Sequence, residues 1–111
     1  MEGLDNPRGL TFGEDGALYV AEAGRGGRKP CTVLRGITFC AGRTGAVTRL
    51  YKGVQQRIVT DLPSYAPPLT GAGATGPHDV SVRGRDIYVL IGLGGDPMRT
   101  PTDIRAALDP A

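Results

Sequence analysis

The chain has a single histidine, and it stands in the run Pro77-His78-Asp79-Val80-Ser81, so an imidazole, a carboxylate and a hydroxyl fall close together. Nucleophilic catalysis of the Ser-His-Asp kind needs all three to converge on one point. Neighbours alternate between faces along a strand, which rules this run out as a triad. A metal centre needs several imidazole or carboxylate donors from separate elements. Glu22, His78, Asp79 and Asp96 are the plausible donors, too few to assign a metal. The run Gly71-Ala72-Gly73-Ala74-Thr75-Gly76 fits G-x-G-x-x-G, with Asp96 twenty residues beyond. That fingerprint holds phosphate only where a strand precedes it and a helix follows. Here a Pro-rich run precedes and Pro77 with a strand pattern follows, so the match is a decoy. Cys31 and Cys40 have eight residues between them. Zinc would want C-x-x-C spacing and further ligands, and a nucleophilic cysteine would want a neighbouring base.

The elements that must position these groups are strands. Residues 6–22, NPRGLTFGEDGALYVAE, return one residue shorter at 76–92 as GPHDVSVRGRDIYVLIG. Pro7 aligns with Pro77, Leu10 with Val80, Phe12 with Val82, Leu18 with Ile87, Tyr19 with Tyr88 and Val20 with Val89. The first half of each copy alternates apolar with polar or small residues, the period of a strand. The second halves, LYVA and IYVLI, are apolar on both faces and call for cover on both sides. GEDG and RGRD supply the turn residues between them. Each copy therefore predicts a hairpin, and the pair predicts a repeat architecture.

Between the copies, residues 23–44 read as a long Gly-rich connection in which only Thr32–Leu34 and Ile37–Phe39 could extend briefly. AVTRLY (46–51) predicts a third strand, Lys52-Gly53 a turn and QQRIVTDL (55–62) a fourth, more polar strand. PSYAPPLTGAGATG (63–76) predicts a loop, and the tail carries a modest helix signal over IRAAL, ended by Asp109-Pro110. The predicted fold is all-β: a partial β-propeller, one four-stranded antiparallel blade (about 8–62) plus the inner hairpin of the next (about 77–92), in a single fragment of 111 residues with a tail over 97–111.

The net charge of +2 is too small to imply a nucleic-acid partner, and no apolar run approaches the ~20 residues that cross a bilayer. Five cations without an acid gather in 24–43: Arg25, Arg28, Lys29, Arg35 and Arg43. Such a run is a solvated loop or a patch for acidic ligands. Nucleic acid fits it least, since only Phe39 offers a ring there for stacking.

The segments NPRGLTFGEDGALYVAEAGRGG, GRTGAVTRL, QQRIVTDLPS and ATGPHDVSVRGRDIYVLIGLGGDP, together with the cysteine pair, resemble the ScyD/ScyE proteins over about Gly3 to Pro97. These are bacterial, typically secreted propellers related to NHL-type repeats, with no firmly assigned activity. The resemblance implies an N-terminal fragment whose remaining blades lie elsewhere in a longer chain, an extracellular or periplasmic location, and a secretion signal lost with the same truncation. In a secreted protein the cysteine pair reads as a Cys31–Cys40 disulfide, with two free thiols as the alternative. In a propeller the innermost strand starts at the mouth of the central channel. Arg8, Glu22, His78 and Asp79 are thereby expected to converge there on a small molecule or a protein. The functional expectation is a ligand-binding or interaction scaffold. The alternative is an enzyme such as a quinone-dependent sugar dehydrogenase or a metal-dependent lactonase; no cofactor is assigned.

Overall fold

The structure is a computed structural model that describes residues 1–34 and 36–92, so Asp96 and the expected tail helix lie outside the described residues. Seven strands make up the ordered elements: β1 (Pro7–Phe12), β2 (Leu18–Glu22), β3 (Cys31–Leu34), β4 (Ile37–Tyr51), β5 (Val54–Ala66), β6 (Pro77–Arg83) and β7 (Asp86–Ile91). The first five form one antiparallel sheet in which β1, β2, β4 and β5 lie side by side, while β3 and β2 share one edge of β4. The last two form a separate hairpin. No described helix is long and apolar enough to cross a membrane.

The turn chemistry follows the sequence. β4 and β5 join through Lys52 and Gly53, both at positive φ (49° and 78°), the two-residue turn whose twist suits a hairpin. β6 and β7 join through Gly84-Arg85, with Gly84 supplying the positive φ of 59°. Between β1 and β2, Gly13 donates its N–H to the Ala17 carbonyl, and the Asp15 carboxylate accepts from the Ala17 N–H.

The two sheets meet face to face. Tyr19 and Ala21 of β2 and Val47 of β4 form a buried cluster with Ala17 and with Val80 of β6. Val59 and Leu62 of β5, and Val82, Ile87 and Val89 of the hairpin, pack around it. On the opposite face of the larger sheet the N-terminal segment lies as a strap. Glu2 exchanges hydrogen bonds with the Gln55 side chain, and the Gly3 carbonyl accepts from Arg57. β2 is accordingly buried on both faces, as its apolar pattern requires. The same expectation does not hold for β7, whose outward Tyr88 and Leu90 are 57% and 63% exposed.

Strand formation reaches further than the sequence suggests. The expected connection 23–44 contains β3 and the first eight residues of β4, and the expected loop 63–76 begins as the last four residues of β5. Tertiary pairing overrides weak local propensity here. Glycine lets the chain lie backbone against backbone: Gly26, at φ 67°, has the Cys40 carbonyl and the Ala66 amide where a Cβ would stand. Pro63 is tolerated because β5 is an edge strand.

Cys31 and Cys40 face each other directly in the β3–β4 ladder, Cα atoms 4.1 Å apart, and are joined as a disulfide. The bridge closes the hairpin that the weak local signal could not hold alone. Replacing both cysteines by serine is expected to cost about 2–3 kcal/mol in urea unfolding, the chain-entropy value for so short a loop. Amide exchange should accelerate first in β3 and the adjoining start of β4. Unchanged stability would show that pairing with β5 already fixes this hairpin.

Candidate site at the bulged starts of the two hairpins

The two sequence copies carry the same backbone irregularity. In the first, Pro7 pairs with Glu22 and Leu10 with Val20, so β1 holds one extra residue immediately after its proline. In the second, Pro77 pairs with Ile91 and Asp79 with Leu90, so β6 holds one extra residue at the same place. Bulges of this kind re-aim side chains and often lie beside sites. The residues they present are Arg8-Gly9 in one copy and His78 in the other.

The bulges also meet. A Cβ on Gly9 would overlap the Asp79 carboxylate and stand 2.9 Å from the His78 carbonyl oxygen, so the β1 backbone runs directly against β6. Arg8 donates from Nη2 to the Ala74 carbonyl at 2.9 Å, which fixes its guanidinium beside the chain entering β6. Asp79 accepts from the Val80 amide through Oδ1 at 2.9 Å. Arg8, His78 and Asp79 are all exposed. The backbones of β1 and β6 thus meet at the two bulges, and Arg8, His78 and Asp79 stand exposed along that rim.

Glu22 is not at that rim. Its side chain is fully buried, and its two oxygens are saturated by four donors. Oε1 accepts from the Asp5 amide and from Arg57 Nη2, both at 2.8 Å. Oε2 accepts from the Thr48 hydroxyl and from Arg57 Nε at 3.1 Å. Burial by itself pushes the carboxyl pKa up, but the donations from Arg57, Thr48 and Asp5 outweigh it and hold Glu22 below its ordinary value. Arg57 is raised in turn by the hydrogen bond to Glu22. This is a structural clasp with no acceptor left for a ligand.

Other polar features lead elsewhere. Arg25, Arg28, Lys29 and Arg43 of the basic segment are exposed, and among the described residues no group of three or more His, Cys, Asp and Glu side chains could hold a metal ion. Tyr65, stacked on Phe39 with ring centroids 5.4 Å apart, buries a hydroxyl without a hydrogen-bond partner, and burial raises its pKa. Sequence reasoning missed Arg57 and Thr48 as the partners of Glu22. Their signal was a cation on the polar β5 and a buried hydroxyl on the apolar β4, with no spacing rule to connect them to residue 22.

Comparison with protein-family models, with curated proteins and with solved structures yields no match.

Two outcomes are expected. Gly9→Ala should lower stability by about 1–3 kcal/mol, the usual cost of forced overpacking, because the methyl meets backbone and a carboxylate; a melting temperature equal to wild type would mean the strands part freely. For the clasp the direction in pH follows from the depressed Glu22 pKa. Its stabilisation is complete above the ordinary value near 4.5 and disappears as pH falls through the lower folded value. Glu22→Gln should flatten that acid limb in urea titrations. Arg57→Met should cost about 2–3 kcal/mol at neutral pH, less than a fully buried pair because water reaches the guanidinium. An acid limb unchanged in Glu22→Gln would remove the clasp from the account.

Proposed function

We propose that the chain is part of a propeller-like binding scaffold outside the cytoplasm, with a small polar ligand held at the rim formed by Arg8, His78 and Asp79. The observation that carries the reading is the matching bulge at the start of both hairpins, where the β1 backbone at Gly9 meets His78 and Asp79 on a packed two-sheet frame. A guanidinium offers a fork for carboxylate or phosphate, and a carboxylate and an imidazole accept from hydroxyls. The rim is therefore suited to a ligand that carries both an anionic group and hydroxyls.

The repeat supports the propeller reading at the level of packing. Each copy is an antiparallel hairpin, and β6 lies against β1 and β2 as one module leans on the next. The resemblance to ScyD/ScyE proteins agrees with this, and the rest of such a ring would be supplied by further chain. The disulfide suits an oxidising compartment, extracellular or periplasmic. The enzyme alternative, a quinone-dependent dehydrogenase or a metal-dependent lactonase, is favoured by no particular observation, because the Glu22 oxygens that a metal would use are committed to Arg57, Thr48 and Asp5.

Backbone NMR titration with two probes, gluconate and glucose, tests the reading. Gluconate should shift the amides of Arg8, Gly9, His78 and Asp79 more than glucose does, and Arg8→Ala should weaken gluconate binding by about tenfold, one lost charge-assisted contact, while its circular dichroism spectrum stays that of wild type. Shifts scattered over the surface, or identical in Arg8→Ala, would sink the proposal.

A further inference from the structure

β4 outruns its neighbours at one end. Its Ala46 pairs with Glu22, the last residue of β2, and the strand continues from there back to Ile37, about 30 Å at the rise of an extended chain. β5 accompanies it only as far as Cys40, which pairs with Ala66. From Cys40 to Ile37 the partner of β4 is β3, through Cys31, Thr32, Val33 and Leu34. Residues 31–40 are therefore a projecting hairpin, an arm whose base is fixed by the Cys31–Cys40 disulfide. Gly36, at φ 79°, lets the chain turn at the tip.

Two properties set this arm apart. The first is that its tip is apolar on both faces. Val33 pairs with Thr38 and shares its face, whereas Ile37, the neighbour of Thr38 in β4, stands on the other. The two are 63% and 51% exposed. An arm lying flat on a surface would hide one of them and leave the other in water. Only an end-on approach hides both. The second property is a collar of cations at the base. Arg28 and Lys29 precede β3, with the Arg28 carbonyl 3.2 Å from Cys31 Sγ, and Arg43 follows Cys40 in β4. All three are exposed. Residues 24–43 hold no acid, and neither do residues 62–78, which include the Ala66 rung beside the base of the arm. Asp5 and Glu22 are engaged by Arg57 at the level of Ala46, behind the arm. The opposite end of the sheet differs, because Arg49 and Lys52 share it with Glu14 and Asp15.

We propose that the arm docks end-on on an anionic lipid bilayer, with Val33 and Ile37 at the acyl boundary and Arg28, Lys29 and Arg43 behind them facing the phosphate headgroups. Charge selects the surface, and the apolar tip selects lipid over a soluble polyanion. The depth fits as well. Interfacial segments bury their apolar side chains by roughly 5–10 Å, a distance that two or three residues of a strand cover. Nucleic acid suits the arm less, because Phe39, the ring on which a base would stack, is turned onto Tyr65 with centroids 5.4 Å apart.

The experiment cosediments the full 111-residue chain with vesicles of phosphatidylcholine alone and with vesicles holding equal parts of phosphatidylglycerol. The chain should bind the anionic vesicles only. Salt at about 1 M, where the Debye length falls to about 3 Å, should release it. Arg28→Gln with Lys29→Gln should weaken binding about 25-fold, about fivefold for each cation. Val33→Ser with Ile37→Ser leaves the charge alone and should weaken it about tenfold, whereas Val33→Leu with Ile37→Leu should bind like wild type. The chain has no tryptophan, so Ile37→Trp reports on the tip by itself. Its emission should shift to the blue on anionic vesicles. That of Val54→Trp, at an exposed position on the opposite end of β5, should stay unchanged. Circular dichroism checks that each variant stays folded. Failure of wild type to bind anionic vesicles overturns the proposal, as does an unshifted Ile37→Trp. Full binding by the serine variant, or equal affinity of wild type for a single-stranded oligonucleotide, also overturns it, because the collar would then be a general polyanion site.

Discussion

A carboxylate enclosed in a small β protein must either find donors for both oxygens or give up its charge. Glu22 finds four, from two strands of the larger sheet and from the strap above it: one from Asp5 before β1, one from Thr48 on β4 and two from Arg57 on β5. Arg57 grips the carboxylate with two nitrogens and reaches on to the Gly3 carbonyl. β2, β4 and β5 are thereby held in one register, and the N-terminal segment is pulled down over the face that β2 would otherwise leave open. Covering both faces of β2 is what makes the rest possible, because the opposite face can then be given over to packing against the second hairpin.

That packing is made of small and branched side chains. Ala17, Ala21, Val47 and Val80 let the sheets approach closely around Tyr19, whose hydroxyl reaches back to Asp15. The close approach continues to the ends of the strands, where Gly9 lies against His78 and Asp79. Had any larger residue stood at position 9, β1 and β6 would be held apart and the three polar side chains of the rim would be dispersed. The rim therefore depends on the core as much as on its own residues, and the two matching bulges are what turn those residues outward. The chain that leaves β2 at this same end is organised differently. There the basic Gly-rich segment lies against the extended halves of β4 and β5 through backbone contacts, with the Ser64 hydroxyl bonding the Ala23 carbonyl and the Gly26 amide.

Much of this was legible in the residues. The period-two alternation, the Gly- and Asp-bearing turns and the repeated Pro-x-x-aliphatic pattern sufficed to give β1, β2, β6 and β7, the antiparallel hairpins and the kinship of the two copies. These are local signals, written into contiguous residues by the geometry of the strand itself. The approach of β1 to β6 at Gly9 follows the same logic, since two copies of a unit that pack alike bring equivalent backbone positions together.

The lengths of β4 and β5, the partners of Glu22 and the cover of each face belong to the tertiary structure. Residues 40–45 and 63–66 are poor strand formers that become strands because a neighbour offers a ladder, and a ladder spans residues far apart in sequence. Glu22 carries an ordinary carboxylate in sequence, and only folding decides whether it meets water or Arg57, 35 residues away. Periodicity states which side chains share a face; it does not state what lies opposite. β2 and β7 have nearly the same pattern, yet among the described residues one is enclosed on both sides and the other keeps Tyr88 and Leu90 exposed, because burial is a property of the neighbours and not of the strand.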